Sequence, residues 1–512
     1  MIYKISLMLG AAAVAILAVP AIAQDSAPDS TPDLTGQLRS PTFQANIAEK
    51  SRDAATAPND PYPIEADGWG TSSGNLFSSR WVEDWTKLKA EGKAPPLKAM
   101  PIIGDEVYLT LNGELRIRSH HYDNGLANKG DDYHEVTDRV EFGADLHIGD
   151  HFRIYGELDH GDTRGEGTPS VNALTPAYQN KLAAQQIFGE ARDRIGDVLF
   201  GVIGGRFEYN DGPRQLLSIN NGPDERVTWN GAQFYLHTDR FRFGAFTGRP
   251  TLEEFGFLNG IVNPAVKLQT ITASIAVEKP DKDHNLYLDP LYYHFYNAAG
   301  LAGATTGNDR RETYGARIWG KQGPFVFDWM AFRQTGDHIG RPISAWMASL
   351  DQNVQIGDSA FKPHFGVRID LASGGDGFKK NGAIHDFNPI YQGTSYLGEG
   401  HLIGYSNLFM VSPTVGISPL KNLRINAEYD MVRRLAQNDA VYFFGQPPHP
   451  YARTQTVSGY DVGGYGRLII DWNVTQNIDF TIEGDHLTAG EVLERAGFGH
   501  ANYAMLSLDF RY

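Results

Sequence analysis

The sequence of 512 residues contains no cysteine and carries a formal net charge of −16. Without cysteine the chain has no disulfides, no thiolate metal sites and no cysteine nucleophile. The acidic balance speaks against a nucleic-acid partner, because DNA and RNA are bound mainly through basic surfaces. A mean hydropathy of −0.36 with 12% aromatic residues and 56 Gly is typical of a sheet with one apolar and one wet face.

The first 23 residues have the pattern of a secretory signal peptide. Lys4 precedes an apolar run over 5–19, and the small-x-small triplet 21–23 precedes Gln24. This pattern predicts cleavage after Ala23 and export across the inner membrane. A membrane-anchoring helix is the alternative reading, but the apolar run is short for a span and ends in a cleavage-site pattern.

Residues 24–100 are predicted to form a periplasmic leader, followed by a barrel over 101–512. The leader begins with a polar, Pro-rich stretch without periodicity, which indicates a loose segment. Trp81, Trp85 and Leu88 then stand at helical spacing and predict one short amphipathic helix that plugs or rims the barrel mouth.

From Glu106 onward the hydrophobic period is two, which is the period of a β-strand. Val140 and Phe142 alternate with Arg139 and Glu141 in one predicted hairpin. The same alternation recurs to the C-terminus without any helical layer to cover the apolar face. A sheet of this size in water would lack a core for so many apolar faces, so the pattern predicts a β-barrel in a membrane.

The last strand supports this interpretation. Leu508 and Phe510 fall on one face, Asp509 and Arg511 fall on the other, and the chain ends on Tyr512. This stretch resembles the closing strand of bacterial outer-membrane barrels, in which a C-terminal aromatic residue is the usual signal to the barrel-assembly machinery. We therefore expect that machinery to be a partner through Tyr512.

The fold class is predicted as all-β, a transmembrane antiparallel β-barrel of about 18 strands, with sixteen as the alternative. Single-chain bacterial barrels have even strand numbers. The strands are predicted near residues 106–119, 134–149, 152–160, 186–195, 197–205, 227–238, 240–248, 269–278, 285–297, 312–320, 324–335, 343–350, 361–372, 403–414, 421–434, 459–474, 477–488 and 500–512.

The connections alternate in length. Short turns such as 149–151 and 475–477 interleave with long polar loops such as 161–185 and 374–402. In outer-membrane barrels short turns face the periplasm and long loops face outside, which predicts periplasmic termini. Aromatic residues near predicted strand ends are expected to form interfacial girdles, among them Tyr292, Tyr293, Phe295, Tyr296 and Trp472.

Several stretches, in their order and spacing, resemble the alginate export family of outer-membrane porins. The segment 80–101 leading into 107–124 is similar to the family's approach to its first strand. Residues 371–376 with 386–393 look like its seventh-loop signature, and 461–490 resembles its closing hairpin. The third long loop, 204–216, resembles the family's Gly-Arg-x-x-x-x-Gly-x-x-Arg-Leu element through Gly205, Arg206, Gly212, Arg214 and Leu216.

The resemblance implies a monomeric pore that lets an anionic, alginate-like exopolysaccharide diffuse passively across the outer membrane, surrounded by outer-membrane lipid. In the family, lumen arginines and lysines form an electropositive constriction. The alternation along the strands directs a set of arginines into the lumen, Arg242 among them. This alternation and the matching loop element together give the candidate substrate-binding residues. They are Arg206, Arg214, Arg116, Arg118, Arg139, Arg153, Arg192, Arg317, Arg368, Arg424 and Arg467.

Parity places carboxylates in the same lumen, so the wall is predicted to be mixed in charge. The alternative role for each inward arginine is to pair with a neighbouring acid, and Arg214 could likewise pin its loop to the wall. The inward acids are Glu114, Glu141, Asp145, Glu157, Asp159, Glu190, Asp328, Asp370, Glu428, Asp430, Asp471, Asp479 and Glu483.

Two other functions stay open at this stage. One is a general or solute-selective uptake porin, and the other is an outer-membrane enzyme. Gly357-Asp358-Ser359-Ala360 reads like the start of an esterase block, but no companion block accompanies it. His-Glu-x-x-His is absent from the sequence. We therefore predict no catalytic residue, no metal ligand and no cofactor.

Overall fold

The computed structural model describes Trp85, Lys89, Ala90, Gly92 and 94–512, apart from 168–174, 239, 278–283, 358 and 476. The predicted signal peptide and most of the predicted amphipathic helix lie outside the described residues. So does Asp358 of the esterase-like tetrapeptide. No helix within the described residues has the length and apolar character needed to cross a bilayer.

The chain forms one closed antiparallel barrel. Its sheet contains 20 strands, of which the short β1 and β9 only flank the wall, so eighteen strands build the barrel. The ring closes where β2 pairs with β22, from Glu114 opposite Arg511 to Asp123 opposite Asn502. In chain order the strands are β1 (Met100–Ile103), β2 (Val107–Asp123), β3 (Tyr133–Ile148), β4 (Phe152–Gly167), β5 (Asn180–Ile195), β6 (Val198–Glu208), β7 (Thr228–His237), β8 (Phe241–Leu252), β9 (Ile261–Val262), β10 (Val266–Ala276), β11 (His284–Ala302), β12 (Thr305–Gln322), β13 (Phe325–His338), β14 (Arg341–Gln355), β15 (His364–Ala372), β16 (Leu408–Leu420), β17 (Leu423–Arg433), β18 (Tyr442–Phe443), β19 (His449–Pro450), β20 (Asp461–Asn473), β21 (Ile478–Ala489) and β22 (Ala501–Arg511).

The prediction of eighteen strands is confirmed, and the alternative of sixteen is wrong. The two faces of the wall also follow the predicted parity. Arg116 and Glu141 point inward and are 1% and 3% exposed, whereas Phe142 and Ile154 point outward and are each 54% exposed. An outward apolar band around a polar interior is the arrangement that a lipid bilayer requires of a barrel.

The loop end of the barrel has two exceptions to the predicted long loops. Only Gly303 and Ala304 connect β11 to β12, and only Ile339 and Gly340 connect β13 to β14. The first hairpin is tight because β12 begins at Thr305, well before its predicted start. The second is tight because β13 extends to His338 and β14 begins at Arg341, each beyond its predicted bound. The residues added to β12, TTGNDRR, are polar on both faces and therefore carry no alternation that sequence reasoning could detect.

Three long loops fold into the barrel from its loop end: the third loop (209–227), the seventh loop (373–407) and the eighth loop (434–460). Their apolar side chains, such as Leu216 and Phe387, are buried in one cluster with inward residues of the wall. The hydrophobic core of the protein therefore lies inside the barrel, packed between loops and wall. A short helix, α1 (Glu491–Ala496), adds to the same cluster.

The predicted aromatic girdle is only partly correct. Tyr292 and Trp472 face outward and are 40% and 39% exposed, as a girdle requires. Tyr293 and Phe295 are instead buried inside the barrel in the loop-packing cluster. Neighbouring residues of a strand point to opposite faces, so Tyr292 and Tyr293 could not both have faced lipid.

At the turn end, the segment before the barrel packs on the C-terminal residue. Lys98 Nζ lies 5.4 Å from the ring centroid of Trp85 and 5.1 Å from that of Tyr512. The Tyr512 hydroxyl donates to the Pro96 carbonyl. The Tyr512 backbone also exchanges hydrogen bonds of 2.7 and 3.0 Å with Gly113. The segment before the barrel is therefore bound to the C-terminal residue, next to the line where β2 and β22 close the ring.

Candidate functional site: the charged lumen

A charge cluster spans the seam inside the barrel. Glu114 accepts from Arg139 Nε at 3.1 Å, Arg511 Nε at 3.2 Å and Arg226 Nη2 at 3.4 Å. Arg226 also pairs with Glu141. Because Arg226 belongs to the third loop, the cluster ties that loop to the first and last strands of the barrel. Each of these side chains is almost fully buried, which makes the loss of one partner costly.

Arg116 binds the third loop mainly through backbone atoms. Its Nη2 donates to Gly222 O at 3.1 Å, to Pro223 O at 2.7 Å and to Asp224 Oδ1 at 3.1 Å. Arg118 Nη1 donates to Gly222 O at 3.1 Å. Burial raises the pKa of Asp224 to about 6, even though neighbouring Arg116 lowers it. These arginines hold a loop in place.

The seventh loop is held by a stack around Tyr396. The Arg368 guanidinium lies 5.1 Å from the Tyr396 ring centroid, and that of Arg214 lies 5.9 Å from it. The Tyr396 hydroxyl donates to Asp370 Oδ1 at 2.8 Å. Arg368 also donates to Glu428 Oε1 at 2.9 Å. Arg214, from the third loop, and Arg368, from the wall, therefore meet on one aromatic ring, where cation–π contacts are favourable.

The remaining inward arginines of the prediction pair with wall carboxylates. Their shortest pairs are Arg153–Glu190 at 3.1 Å, Arg317–Asp328 at 2.7 Å, Arg424–Asp471 at 3.7 Å and Arg467–Glu483 at 3.2 Å.

A small cavity lies in the half of the lumen nearer the turn end. Arg242 and Arg317 line it, and Arg242 Nη2 binds Asp211 Oδ1 at 2.7 Å. Asp211 reaches this depth because Gly212, with φ of 132°, lets the third loop pass against Tyr293. Asp289 lines the cavity too. Both charge signs are thus available to a solute at this point.

Eight of the eleven predicted arginines lie on the buried inner wall, as parity predicted. Arg214 lies in the third loop, as expected. Arg192 is near the turn-end rim, where its Nε donates to Asp150 O at 3.2 Å. The eight wall residues are Arg116, Arg118, Arg139, Arg153, Arg317, Arg368, Arg424 and Arg467.

The predicted placement of Arg206 in a loop within the lumen is wrong. Strand β6 continues to Glu208, and Arg206 lies on its outward face. The guanidinium donates to Ala184 O at 3.0 Å, Asn230 Oδ1 at 3.1 Å and Gly260 O at 3.0 Å. The predicted strand ended at residue 205, so the parity of the next residue was not considered.

The sequence-based prediction missed four buried arginines among the described residues: Arg226, Arg311, Arg434 and Arg511. Arg311 Nε pairs with Asp309 Oδ1 at 2.8 Å, but the predicted strand began one residue later. Arg511 had the correct parity in the last strand and was not included. Arg226 lies in a loop, where no periodicity could have identified it.

Comparison with known proteins identifies the family to which this barrel belongs. The family model for alginate export matches residues 107–507, nearly the whole barrel. The chain belongs to the alginate export family. Its family and its barrel are those of an outer-membrane channel. A comparison with curated proteins finds no match.

Solved structures similar to this alginate export family barrel are porins of low sequence identity. OccAB1 of Acinetobacter baumannii is 12% identical with a TM-score of 0.54, over 81% of this chain and 98% of that one. OccK5 (OpdH) of Pseudomonas aeruginosa is 10% identical with a TM-score of 0.50, over 78% and 98%. A BenF-like porin from Pseudomonas fluorescens Pf-5 is 10% identical with a TM-score of 0.50, over 79% and 99%. At these identities the likeness concerns the fold.

The described part of the lumen offers no metal site. Across Trp85 and 94–512, outside the gaps named above, no group of three or more His, Asp and Glu side chains is arranged to hold a metal ion. The chemistry available to a solute is that of guanidinium groups, carboxylates, hydroxyls and aromatic rings.

Proposed function

We propose that this protein is a monomeric, passive conduit through which an anionic, alginate-like exopolysaccharide crosses the outer membrane from the periplasm. The observation that carries the proposal is the match of the alginate export family model to residues 107–507. The barrel provides the path across the membrane, and the charged side chains of its lumen provide groups that can bind an anionic sugar.

The mixed charge of the wall suits the transport of a polymer. A guanidinium can bind a uronate carboxylate through two parallel hydrogen bonds. A wall with arginines alone would hold a polyanion too tightly, because conduction requires binding weak enough for release. Carboxylates such as Asp211 and Asp289 compete with the polymer for Arg242 and Arg317, and so keep each contact short-lived.

The first contacts of the polymer are assigned to the cavity near the turn end. Arg242 and Arg317 line it, on the periplasmic side of the packed loops. Three of the predicted arginines hold these loops, namely Arg116, Arg214 and Arg368. The polymer meets them after it has passed the cavity. A polymer passes them only after the third and seventh loops move away from the lumen.

Single-channel recording in planar bilayers tests the proposal. We expect oligouronates added on the turn side to interrupt the current more often than neutral oligosaccharides of equal length. The double variant Arg242→Ala/Arg317→Ala should lose this difference. The matched control is Arg164→Ala/Arg495→Ala, since these side chains lie at the loop end and are 58% and 50% exposed. Equal interruption by charged and neutral oligomers would contradict anion recognition.

A second candidate function is uptake of a small carboxylate. Arg242 and Arg317, which line the small cavity near the turn end, are groups of the kind that bind a single carboxylate. In the same recordings, permeation of monocarboxylates with no response to any oligouronate would favour this candidate over export.

A further inference from the structure

The fourth loop (253–265) lies on the outside of the barrel, unlike the loops that fill the lumen. Lys181 N donates to Gly256 O at 3.0 Å, and Leu258 N donates to Leu182 O at 2.7 Å. The tip of the loop thus reaches back from β8 to the start of β5. It passes over the outward faces of β6 and β7, which lie between those two strands in the wall.

A polar row on the outward face lies beneath this loop. Ile187, Arg206, Asn230 and Arg249 are successive cross-strand partners, so they share one face of the sheet. Ile187 is 58% exposed and shows that this face is the outer one. An unprotected arginine in such a row is destabilising where the wall meets lipid.

Backbone carbonyls in the fourth loop, and one at the start of β10, accept hydrogen bonds from the two arginines of this row. Arg206 Nη2 donates to Gly260 O at 3.0 Å. Arg249 Nη1 donates to Pro264 O and to Val266 O, the latter at 3.2 Å. The two guanidinium groups therefore hold the loop against the wall, and the loop in turn covers their charge.

The surface that the loop turns outward is largely apolar, although Glu254 is also exposed. A contiguous apolar surface of this kind on a folded protein usually marks a site of contact. It also continues the apolar band of the barrel, since Ile187 and Val202 on the neighbouring strands are 58% and 49% exposed. The exposed apolar side chains of the loop are Phe255, Phe257, Leu258, Ile261 and Val262, at 56%, 66%, 49%, 51% and 44%.

We propose that the fourth loop is a lipid-facing flap, whose apolar side chains lie among the acyl chains of the outer leaflet. Two features favour lipid as the occupant: the flap continues the lipid-facing band, and several of its polar backbone groups are bound to the wall. The flap extends the apolar surface over the outer ends of β5 to β8. This inference is independent of what the channel transports.

Quenching of a fluorophore by brominated lipid tests the flap directly. The chain contains no cysteine, so a single introduced thiol can be labelled selectively. Phe257→Cys carries the fluorophore on the flap. Phe142→Cys, at an outward position of β3 that is 54% exposed, is the membrane reference. Lys129→Cys, exposed in the loop between β2 and β3, is the aqueous reference. Each protein is reconstituted in vesicles with and without brominated acyl chains.

We expect bromolipid to quench position 257 to nearly the same extent as position 142, and several-fold more than position 129. Arg206→Ala in the Phe257→Cys background should lower that quenching, because one of the two clamps is lost. Quenching at 257 no greater than at 129 would overturn the proposal. So would self-quenching at 257 that depends on protein density rather than on bromolipid, since it would identify a second copy of the chain as the occupant.

Discussion

Arg511 in the last strand donates its Nε to Glu114 Oε2 in the first barrel strand at 3.2 Å, across the line where the barrel closes. Both side chains are about 6% exposed. Arg511 also pairs with Asp479, while Glu114 receives Arg139 and Arg226. Hydrogen bonds between β2 and β22 close the ring, and this buried network reinforces the closure from inside.

Replacing Arg511 by Ala should weaken closure. The change leaves buried Glu114 and Asp479 each without one partner, and breaking a buried pair in this way costs about 3–5 kcal/mol. The temperature at which the folded band disappears in a heat-modifiability gel should therefore fall. The control is Arg495→Ala, whose pair with Glu491 is about half exposed and contributes only about 0–1 kcal/mol. Equal transition temperatures for the two variants would contradict the assigned role.

Replacing Arg116 by Ala should loosen the third loop. Hydrogen bonds of a charged group contribute about 1.5–3 kcal/mol, so the ratio of displaced to seated loop should rise by about ten- to a hundredfold. In single-channel recordings we expect more frequent openings of higher conductance. Arg424→Ala is the control, because it removes a lumen arginine that pairs with the wall residue Asp471. If both variants opened equally, the effect would come from lumen charge and not from the loop.

The seventh and eighth loops meet at two buried carboxyl groups. Asp386 Oδ1 and Asp439 Oδ2 both accept the Gly375 N–H, at 3.1 and 2.7 Å. The Tyr442 hydroxyl lies 2.9 Å from Asp439 and 3.3 Å from Asp386. Burial, and after it the charge of Asp439, raise the pKa of Asp386 well above its ordinary value. The nearby guanidinium Arg311 donates to the Asp386 backbone carbonyl.

The loop contact should therefore weaken as pH rises. The folded state binds more protons than the unfolded state, whose Asp pKa is about 3.9. The stabilisation is thus complete below that pH and is lost as pH rises through the raised pKa of the folded protein. Asp439→Asn removes the repelling charge and should keep the contact at higher pH. Hydrogen exchange of residues 373–387 across pH 5–9 measures this, and identical pH profiles for wild type and variant would refute it.

The barrel could be predicted from the sequence because the bilayer forces an apolar residue outward at every second position. That rule holds at Val140 and Phe142 and ends where the strand leaves the membrane. For this reason β12 was predicted too short and Arg311 was missed. Loops obey no such period: nothing in the spacing of Leu216 predicted that the third loop would pack inside the lumen.

Arg206 illustrates how a motif can identify a residue without locating it. The family-like element singled it out for the lumen, whereas strand parity turns it outward beneath the fourth loop. Arg206→Ala should therefore leave the reversal potential in a salt gradient unchanged. Arg242→Ala, a change in the cavity lining, should shift it toward cations. A shift of similar size in Arg206→Ala would restore Arg206 to the permeation path.

The C-terminal residue provides the last prediction, since Tyr512 was expected to act as an assembly signal. Its ring packs beside Lys98, and its hydroxyl donates to Pro96 O. Tyr512→Phe keeps the ring and loses only the hydroxyl contact, so it should assemble almost normally. Tyr512→Ala loses the ring and should reduce the amount of heat-modifiable barrel in the outer membrane. Refolding of the purified variants into detergent, without the assembly machinery, separates the two causes. If Tyr512→Ala refolds as well as wild type in detergent, the cellular defect reflects recognition by the machinery. If Tyr512→Ala folds as poorly in detergent as it assembles in cells, the ring acts by packing on the segment before the barrel. Its role as a recognition signal is then refuted.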